Sequence, residues 1–314
     1  MNEIVNSVLP LFVLILIGWA VVKLNYFKAE HAGVLTSFVF KIALPVLLMR
    51  TVAVADFHDA QPLKIWLTYF CGVAIAWTSA ALIARHFFHR DRASAVIIGL
   101  SGTFANAAFI GIPLISHIVG ENGLIVLSLI LAIHMPVMMV TGTVLVEHAK
   151  AQEGGAMSNP RKVAMTVLYN LVSSPLVIGL FIGAMLHVIN VQLGGPPAVV
   201  INMIASMAAP VALISIGMTL TQYKIAGNVG LFSVVSAIKL LFLPAMVFAL
   251  AHLFRLSDVA TATLVLTGAT PAGVNAFVLA NQFGTGKNIA ASTITLTTAL
   301  GVLTVSFWVF VLGY

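Results

Sequence analysis

Residues 101–113 read SGTFANAAFIGIP, and residues 267–275 read TGATPAGVN. Both stretches concentrate glycine, proline, threonine and asparagine inside long apolar runs. Proline lacks a backbone N–H and clashes with the preceding turn, and glycine weakens a helix. Each stretch therefore predicts a break in a helix that is otherwise apolar enough to lie in lipid, where irregular backbone needs protein or a water-filled cavity around it.

The composition around these stretches is that of a membrane protein. The chain has 314 residues, of which 61% are hydrophobic and 8% are charged, and its mean hydropathy is +1.09. A soluble domain carries about a quarter charged residues, so this supply cannot solvate a globular surface. At about 20 residues per span, the chain has room for roughly ten transmembrane helices.

Ten apolar windows are long enough to cross a bilayer, and they predict an all-α polytopic membrane protein. The windows are Ile4–Val22, Gly33–Met49, Ile65–Ala84, Ala93–Val119, Gly123–Val146, Val163–Ile189, Ala198–Leu220, Val229–Phe254, Val259–Phe283 and Ile289–Leu312. The longest polar stretch, residues 147–162, divides them five and five and carries the glycine and proline punctuation of a loop. We predict one five-helix unit over residues 1–146, a linker over 147–162 and a second unit over 163–314.

The lysine and arginine residues of the loops predict the orientation. With the N-terminus outside, the inner loops hold ten of these residues and the outer loops hold three. We therefore expect both termini outside, the linker in the cytoplasm, and a location in the plasma membrane, which is the inner membrane of a bacterium. The net charge of +6 comes from these loops and forms no separate basic patch, so no nucleic-acid partner is expected.

An internal repeat relates the two halves. Pro10 and Pro45 are matched by Pro175 and Pro210 at one common offset of 165 residues. Five is an odd number of spans, so the second copy enters the membrane from the opposite side. Inverted repeats of this kind are typical of secondary transporters that alternate between two open states. An ancestral duplication kept only for packing is the alternative.

The two breaks lie in the fourth window of each half, and their pairing predicts a binding site. A broken helix exposes a half-helix N-terminus with free N–H groups and partial positive charge, which favours an anion. The carboxamides of Asn106 and Asn275 can donate to the same anion. The alternative is a pair of proline-kinked helices in which each asparagine bonds a neighbour.

Lys41, Lys239 and His134 lie well inside the windows, whereas His117, His187 and His252 lie near window ends and all nine acidic residues lie in loops or at window ends. Lys41 and Lys239 therefore lack a carboxylate partner at that depth, and a bound anionic substrate would supply one. Lys41 can instead reach an interface, and Lys239 can bond backbone carbonyls freed near Pro244 or lose its charge. His134 can relay protons or be a packed residue of the helix bundle.

Three elements resemble the auxin efflux carrier family, in the bacterial branch often labelled malonate or dicarboxylate permeases. They are Phe40–Pro45 (FKIALP), Asn106 with Phe109–Pro113 (FIGIP), and Ala269–Phe277 (ATPAGVNAF). The resemblance implies a fold similar to that of the bile acid–sodium symporters. There, spans 1, 2, 6 and 7 form a scaffold that usually dimerises, and spans 3–5 and 8–10 form a transport domain in which broken spans 4 and 9 cross.

Mapped by motif, the resemblance implies that Asn106 and Pro271 lie at the crossover with Asn275 beside them, and it favours Lys41 in the substrate pathway. The composition of the breaks and the charges in the windows supply the other candidates. The predicted substrate-binding residues are Gly102, Thr103, Asn106, Pro271, Gly273, Asn275 and Lys41, and His134 and Lys239 are candidates for the coupling or translocation pathway. The absence of acidic residues from the windows is a departure from the sodium symporters, and it argues against a sodium site built on carboxylates. No group of residues has the spacing of a metal site, and no cofactor is expected.

Together these features predict a secondary transporter of small, malonate-like carboxylate anions that works by an elevator or rocking motion, forms a homodimer through its scaffold helices and can use protons for coupling. Transport of aromatic or indole acids is the nearest alternative. A membrane receptor without a transport cycle is a second alternative, although no output domain is visible. An intramembrane enzyme would need acid–base or metal residues at matched depth, and the windows do not supply them, so no enzyme is expected.

Overall fold

The computed structural model describes residues 2–55, 61–153, 172–191 and 194–314, together with residues 165 and 169. Its described part is helical and contains no strand. The helices are α1 (Asn2–Lys23), α2 (His31–Ala53), α3 (Pro62–His86), α4 (Arg92–Ser101), α5 (Ala107–Ile118), α6 (Glu121–Gln152), α7 (Pro175–Val188), α8 (Gly195–Leu220), α9 (Val229–Leu253), α10 (Asp258–Ala269), α11 (Asn275–Phe283) and α12 (Lys287–Val311).

Six of the described helices, α2, α3, α6, α8, α9 and α12, are long and apolar enough to cross a membrane. This confirms the prediction of an all-α polytopic membrane protein. The fourth and ninth predicted windows are each divided into two shorter helices, α4 with α5 and α10 with α11. The two breaks that the glycine and proline residues predict are therefore present.

Three helices contain a π-helical turn, and each turn ends two residues before a proline. The turns cover Val39–Ala43, Ala107–Gly111 and Ile238–Phe242, and the prolines are Pro45, Pro113 and Pro244. A proline ring clashes with the carbonyl four residues earlier, and a widened turn relieves that clash. Two of these turns carry the lysines of the predicted windows, Lys41 and Lys239.

Glycines bring two pairs of helices into backbone contact. A methyl group on Gly18 of α1 would collide with the carbonyl of Ile214 in α8, and one on Gly183 of α7 would meet the carbonyl of Met49 in α2. Gly179, one turn before Gly183, packs against the backbone of Pro45 in the same way. Small residues are the usual means of such close packing between membrane helices.

The half-helices that precede the breaks lie inside the bundle. All ten residues of α10 from Ala260 to Ala269 are buried, as are all but Arg92 and Val96 of α4. Side-chain caps fix where both begin, since Asp91 accepts from the Ser94 N–H at 2.7 Å and Ser257 accepts from the Ala260 N–H at 3.3 Å. Burial by neighbouring helices is what allows the irregular backbone that follows.

The predicted linker lies only partly within the described residues. Helix α6 continues to Gln152, so the first six residues of the stretch 147–162 are helical. Residues 154–162 lie outside the described part, as does most of the sixth window before Val172. The division of the chain at 1–146, 147–162 and 163–314 stays a prediction.

Candidate functional site

The two helix breaks lie side by side and are joined backbone to backbone. Ala105 and Ala272 form an isolated antiparallel bridge. Around it, the Asn106 N–H donates to the Pro271 carbonyl at 3.0 Å, and the Gly273 N–H donates to the Phe104 carbonyl at 2.8 Å. Backbone groups released by one break are thus satisfied by the other, which removes much of the cost of unpaired groups away from water.

Helix α12 supports the second break through a residue that the sequence did not single out. The Thr297 hydroxyl accepts a hydrogen bond from the Ala272 N–H at 3.0 Å and donates to the Thr293 carbonyl at 2.6 Å. Thr297 lies 25 residues from Ala272, in a helix whose four threonines from Thr293 to Thr298 carry no local sign of this contact. Only the folded chain identifies it.

A cavity of about 300 Å³ lies beside the breaks, and it collects most of the predicted site. Asn106, Gly273 and Asn275 line it from the two breaks, Lys41 from α2 and His134 from α6. Its other lining residues are Thr36, Ser37, Phe40, Phe104, Ala105, Ala107, Ala108, Phe109, Leu131, Met135, Leu176 and Val274. Thr36 and Ser37 were not predicted from the sequence as site residues. A polar pair in an apolar window, one turn before Lys41, could have indicated them.

The polar groups at the cavity are suited to hold an anion. Asn106 occupies the N-cap position of α5 without a side-chain cap bond, and Asn275 is the first residue of α11, so each carboxamide stands where a half-helix exposes free N–H groups. Asn106 is 6% exposed, and neither carboxamide bonds another described residue. Lys41 is exposed, and its ammonium likewise makes no ion pair or hydrogen bond within the described ranges.

No acidic residue is among the residues that line the cavity, so the charge of Lys41 is not balanced there. Partial positive charge from two half-helix N-termini adds to it. The cavity therefore has a positive electrostatic character and three sets of unused donors. An anion of the size of a small organic acid fits this arrangement chemically.

His134 occupies an aromatic cage at the wall of the cavity. Its ring centroid lies 5.6 Å from that of Tyr69, 6.4 Å from that of Phe70 and 5.1 Å from that of Phe104. The residue is 3% exposed, and neither ring nitrogen has a hydrogen-bonding partner of good geometry, although the Ala105 backbone approaches the ring. A buried imidazole with both nitrogens free is poised to bond a ligand or a water in the adjoining cavity.

Lys239 does not line the cavity. It is fully buried on α9, and its ammonium donates to the carbonyl of Gly268 in the last turn of α10. Carbonyls at a helix C-terminus carry partial negative charge and lack intrahelical donors, so an ammonium suits them. Of the alternatives for this lysine, the structure has it bonded to a backbone carbonyl. That carbonyl belongs to Gly268 of α10, which packs against Pro244, and not to the helix that contains the proline.

Three predicted binding residues do not line the cavity. Thr103 lies just beyond the end of α4, its hydroxyl donates back to the Gly99 carbonyl of that helix at 2.9 Å, and the residue is fully buried. Pro271 contributes its carbonyl to the pairing of the breaks, and a methyl group on Gly102 would lie 3.3 Å from the Val235 side chain. Their direct contact with a substrate stays a prediction. In the described part of the chain, no three His, Cys, Asp or Glu side chains are grouped to hold a metal.

The apolar helices, the paired breaks and the cavity beside them define a membrane protein built to bind and move a solute, and comparison with known proteins gives the same class. A family model described as "Membrane transport protein" matches residues 3–309. The chain belongs to this family, the auxin efflux carriers, as the motifs around the two breaks predict.

Individual relatives match along almost the whole chain. A protein of Rhizobium meliloti (strain 1021) named "Putative malonate transporter" is 25% identical over 307 residues, which cover 98% of this chain and 95% of the relative. Uncharacterized transporters of Methanocaldococcus jannaschii and Methanothermobacter thermautotrophicus are 22% and 24% identical, each over 98% of both chains.

Proposed function

We propose that this protein is a secondary transporter that moves small organic carboxylate anions across the plasma membrane by alternating access. The observation that carries the proposal is the meeting of the Lys41 side chain with the carboxamides of Asn106 and Asn275 at one cavity without an acidic residue. An ammonium and two amide donors match the two oxygens of a carboxylate. In this proposal Lys41 neutralises the anion, and the two asparagines orient it at the half-helix N-termini.

The contacts between helices support a five-plus-five inverted repeat. Gly18 packs against the carbonyl of Ile214, and Gly183 packs against that of Met49. Adding the repeat offset of 165 residues converts Gly18 into Gly183 and Met49 into Ile214. The same contact is thus made twice with the two halves exchanged, which is what a two-fold relation between them requires.

These contacts also support the division into two moving parts. They join α1 to α8 and α2 to α7, the helices of predicted spans 1, 2, 6 and 7. Backbone-to-backbone packing makes a stiff unit, as a scaffold requires. In our proposal, the helices of spans 3–5 and 8–10 carry the cavity past this scaffold in an elevator or rocking motion, and the scaffold forms the homodimer.

Malonate is our first candidate substrate. The support for it is the name of the Rhizobium meliloti relative, which aligns with 98% of this chain. A small dicarboxylate would place one carboxylate on Lys41 and the asparagines. Its second carboxylate would face Thr36, Ser37 or His134, which are the remaining polar residues at the cavity.

The apolar lining favours a second candidate, an aromatic acid with a single carboxylate. Phe40, Phe104 and Phe109 all line the cavity, and the rings of Phe40 and Phe109 stack with centroids 6.3 Å apart and an interplanar angle of 11°. Only one ammonium is present for one carboxylate. Aromatic side chains also offer favourable stacking to a flat ring.

Uptake by proteoliposomes tests the proposal. Purified protein would be reconstituted, and entry of labelled malonate and labelled indole-3-acetate would be measured with and without a pH gradient. The matched variants are Lys41→Gln and Lys64→Gln, since Lys64 is an exposed lysine outside the cavity. We expect saturable uptake of one acid that survives Lys64→Gln and is lost in Lys41→Gln.

The outcomes separate the parts of the proposal. Uptake of indole-3-acetate alone would replace malonate by the second candidate. Uptake that Lys41→Gln leaves intact would overturn the binding site. No uptake of either acid, or of any carboxylate in a wider set, by protein that is folded in the membrane would overturn the carboxylate class.

A further inference from the structure

A second cavity, of about 540 Å³, opens on the outer surface of α3, α4 and α6, apart from the site beside the breaks. Its walls are almost entirely apolar. Its lining residues include Phe70, Trp77, Thr78, Leu145, Arg85 and Arg92. We call this cavity the lateral groove.

Both cationic residues of the lateral groove stand at the same end of it. Arg85 lies in the last turn of α3, and Arg92 is the first residue of α4. Neither guanidinium makes an ion pair or a hydrogen bond within the described ranges. The lateral groove is therefore apolar along most of its length and has, at one end, two guanidinium groups without a partner among the described residues.

The carboxylates nearest this end are already used by backbone groups. Asp91 accepts from the Ser94 N–H at 2.7 Å, and Glu153 accepts from the Arg92 N–H at 3.1 Å. Burial opposes ionisation of Asp91, but the hydrogen bonds from Ser94 and from its own backbone N–H, together with the charge of Arg90, outweigh it and hold its pKa below the usual value. Asp91 is therefore ionised, and it serves as the cap of α4 instead of a partner for Arg85.

We propose that the lateral groove is a binding site for an anionic phospholipid, with an acyl chain in the channel and the headgroup phosphate on Arg85 and Arg92. An outward-facing apolar groove on a membrane transporter faces lipid, so an acyl chain is its natural occupant. The free arginines then select the headgroup, because guanidinium binds phosphate through paired, charge-assisted hydrogen bonds. Basic residues at the ends of membrane helices recognise anionic lipids in this way.

The end of the lateral groove that holds the arginines is predicted to lie on the side of the membrane where anionic lipids are found. Arg90 lies in the loop between α3 and α4, Arg85 and Arg92 lie at the helix ends on either side of it, and this loop is predicted to face the cytoplasm. The cytoplasmic leaflet is the one that presents anionic headgroups to such basic segments.

A lipid in the lateral groove would brace the half-helix that leads to the first break. The Trp77 indole N–H donates to the Val96 carbonyl of α4 at 3.0 Å, and the same ring packs on Gly99. Because Trp77 lines the groove, the lipid would press on the residue that positions α4. We therefore expect anionic lipid to stabilise the protein and not only to coat it.

Native mass spectrometry and thermal unfolding of the purified protein test the site without any transport assay. Protein in detergent would be supplied with phosphatidylglycerol, with phosphatidylcholine of the same chains, or with glycerol 3-phosphate alone. We expect phosphatidylglycerol to be retained preferentially and to raise the Tm, and the double variant Arg85→Gln/Arg92→Gln to lose both effects. The matched control is Lys64→Gln/Arg255→Gln, whose cations lie outside the groove and should leave both effects unchanged.

A groove-filling variant separates the two parts of the site. Thr78→Phe keeps both arginines but occupies the channel, and it should reduce lipid retention. Equal retention of both phospholipids by the parent, or a preference for phosphatidylglycerol that survives loss of both arginines, would overturn the proposal. Stabilisation by glycerol 3-phosphate alone would also overturn it, because the site would then bind a free phosphate. A failure of carboxylate transport would leave these results untouched.

Discussion

The backbone N–H of Asn106 donates to the carbonyl oxygen of Pro271 at 3.0 Å, across 165 residues of sequence. The N–H of Gly273 returns a bond to the carbonyl of Phe104 at 2.8 Å. Each break in this protein is therefore completed by the other. A motion that separated the breaks would leave at least four backbone groups unpaired, so the two half-helix N-termini at the cavity are expected to move together.

Gly273→Ala should damage this pairing. A methyl group there would lie 3.0 Å from the Phe104 ring and 3.1 Å from the Ala105 carbonyl, which is the backbone of the partner break. We expect a destabilisation of about 1–3 kcal/mol, the usual range for overpacking, together with a loss of uptake. Thermal unfolding and proteoliposome uptake would measure the two effects. Gly33→Ala is the control, since no described atom lies within 4 Å of the added methyl; an equal loss in both variants would contradict the argument.

Asn106→Asp should weaken anion binding although it leaves the shape of the side chain nearly unchanged. The change replaces a carboxamide that can donate with a carboxylate that only accepts, at the cavity that Lys41 lines. Loss of a hydrogen bond to a charged group costs about 1.5–3 kcal/mol, so the concentration for half-maximal uptake should rise at least about tenfold. Concentration-dependent uptake would measure it. The exposed Asn122, which lies outside this cavity, supplies the control Asn122→Asp, and unchanged uptake by Asn106→Asp would remove Asn106 from the site.

Local sequence signals located the breaks, because proline and glycine act on the backbone of their own turn. They did not establish which polar side chains near a break face the cavity. Thr103 lies three residues before Asn106, yet its hydroxyl donates back to the Gly99 carbonyl in the last turn of α4, four residues earlier, which is a common bond for threonine. The distinction depends on where each helical turn ends, and patterning does not resolve that.

Hydrogen-bond partners that are distant in the chain could not be predicted from the sequence either. Lys239 finds the Gly268 carbonyl 29 residues away, and Thr297 finds the Ala272 N–H 25 residues away. The absence of acidic residues from the windows predicted that Lys239 needed an unusual partner. It could not identify the carbonyl, because that choice depends on how α9 packs against α10.

Lys239→Met should destabilise the protein more than Lys239→Gln. Methionine fills the space but leaves the Gly268 carbonyl without the donor it has now, and an unsatisfied buried acceptor costs about 1–3 kcal/mol. Glutamine retains an N–H donor and should recover part of that loss. Thermal unfolding of both variants beside Lys224→Met, a change at an exposed lysine, would measure the order. If Lys239→Met equalled or exceeded the parent in stability, the bond to Gly268 would contribute nothing.

His134→Gln should separate coupling from binding. His134 lines the cavity and is the titratable residue there besides Lys41, so a proton that accompanies the anion would use it. We expect uptake down a concentration gradient to continue in this variant and its stimulation by a pH gradient to disappear. Paired uptake assays with and without the gradient would test this, with the exposed His148→Gln as the control. Stimulation that persists in His134→Gln would assign coupling to another group.

Gly18→Ala and Gly183→Ala should have matching effects if the two halves are related by an inverted repeat. The added methyl would strike the carbonyl of Ile214 in one case and that of Met49 in the other, and these contacts exchange under the 165-residue offset. Each change forces two packed helices apart, so each should cost about 1–3 kcal/mol.

The measurement is the Tm of each variant in one detergent, with Gly194→Ala as the control, because no described atom lies within 4 Å of a methyl at that position. We expect similar decreases in Tm for the two glycine variants and an unchanged Tm for the control. In both contacts the added methyl meets backbone atoms, which cannot move aside as a flexible side chain can. A large loss in one glycine variant and none in the other would mean that the halves do not share this contact, and the scaffold of spans 1, 2, 6 and 7 would lose its structural support.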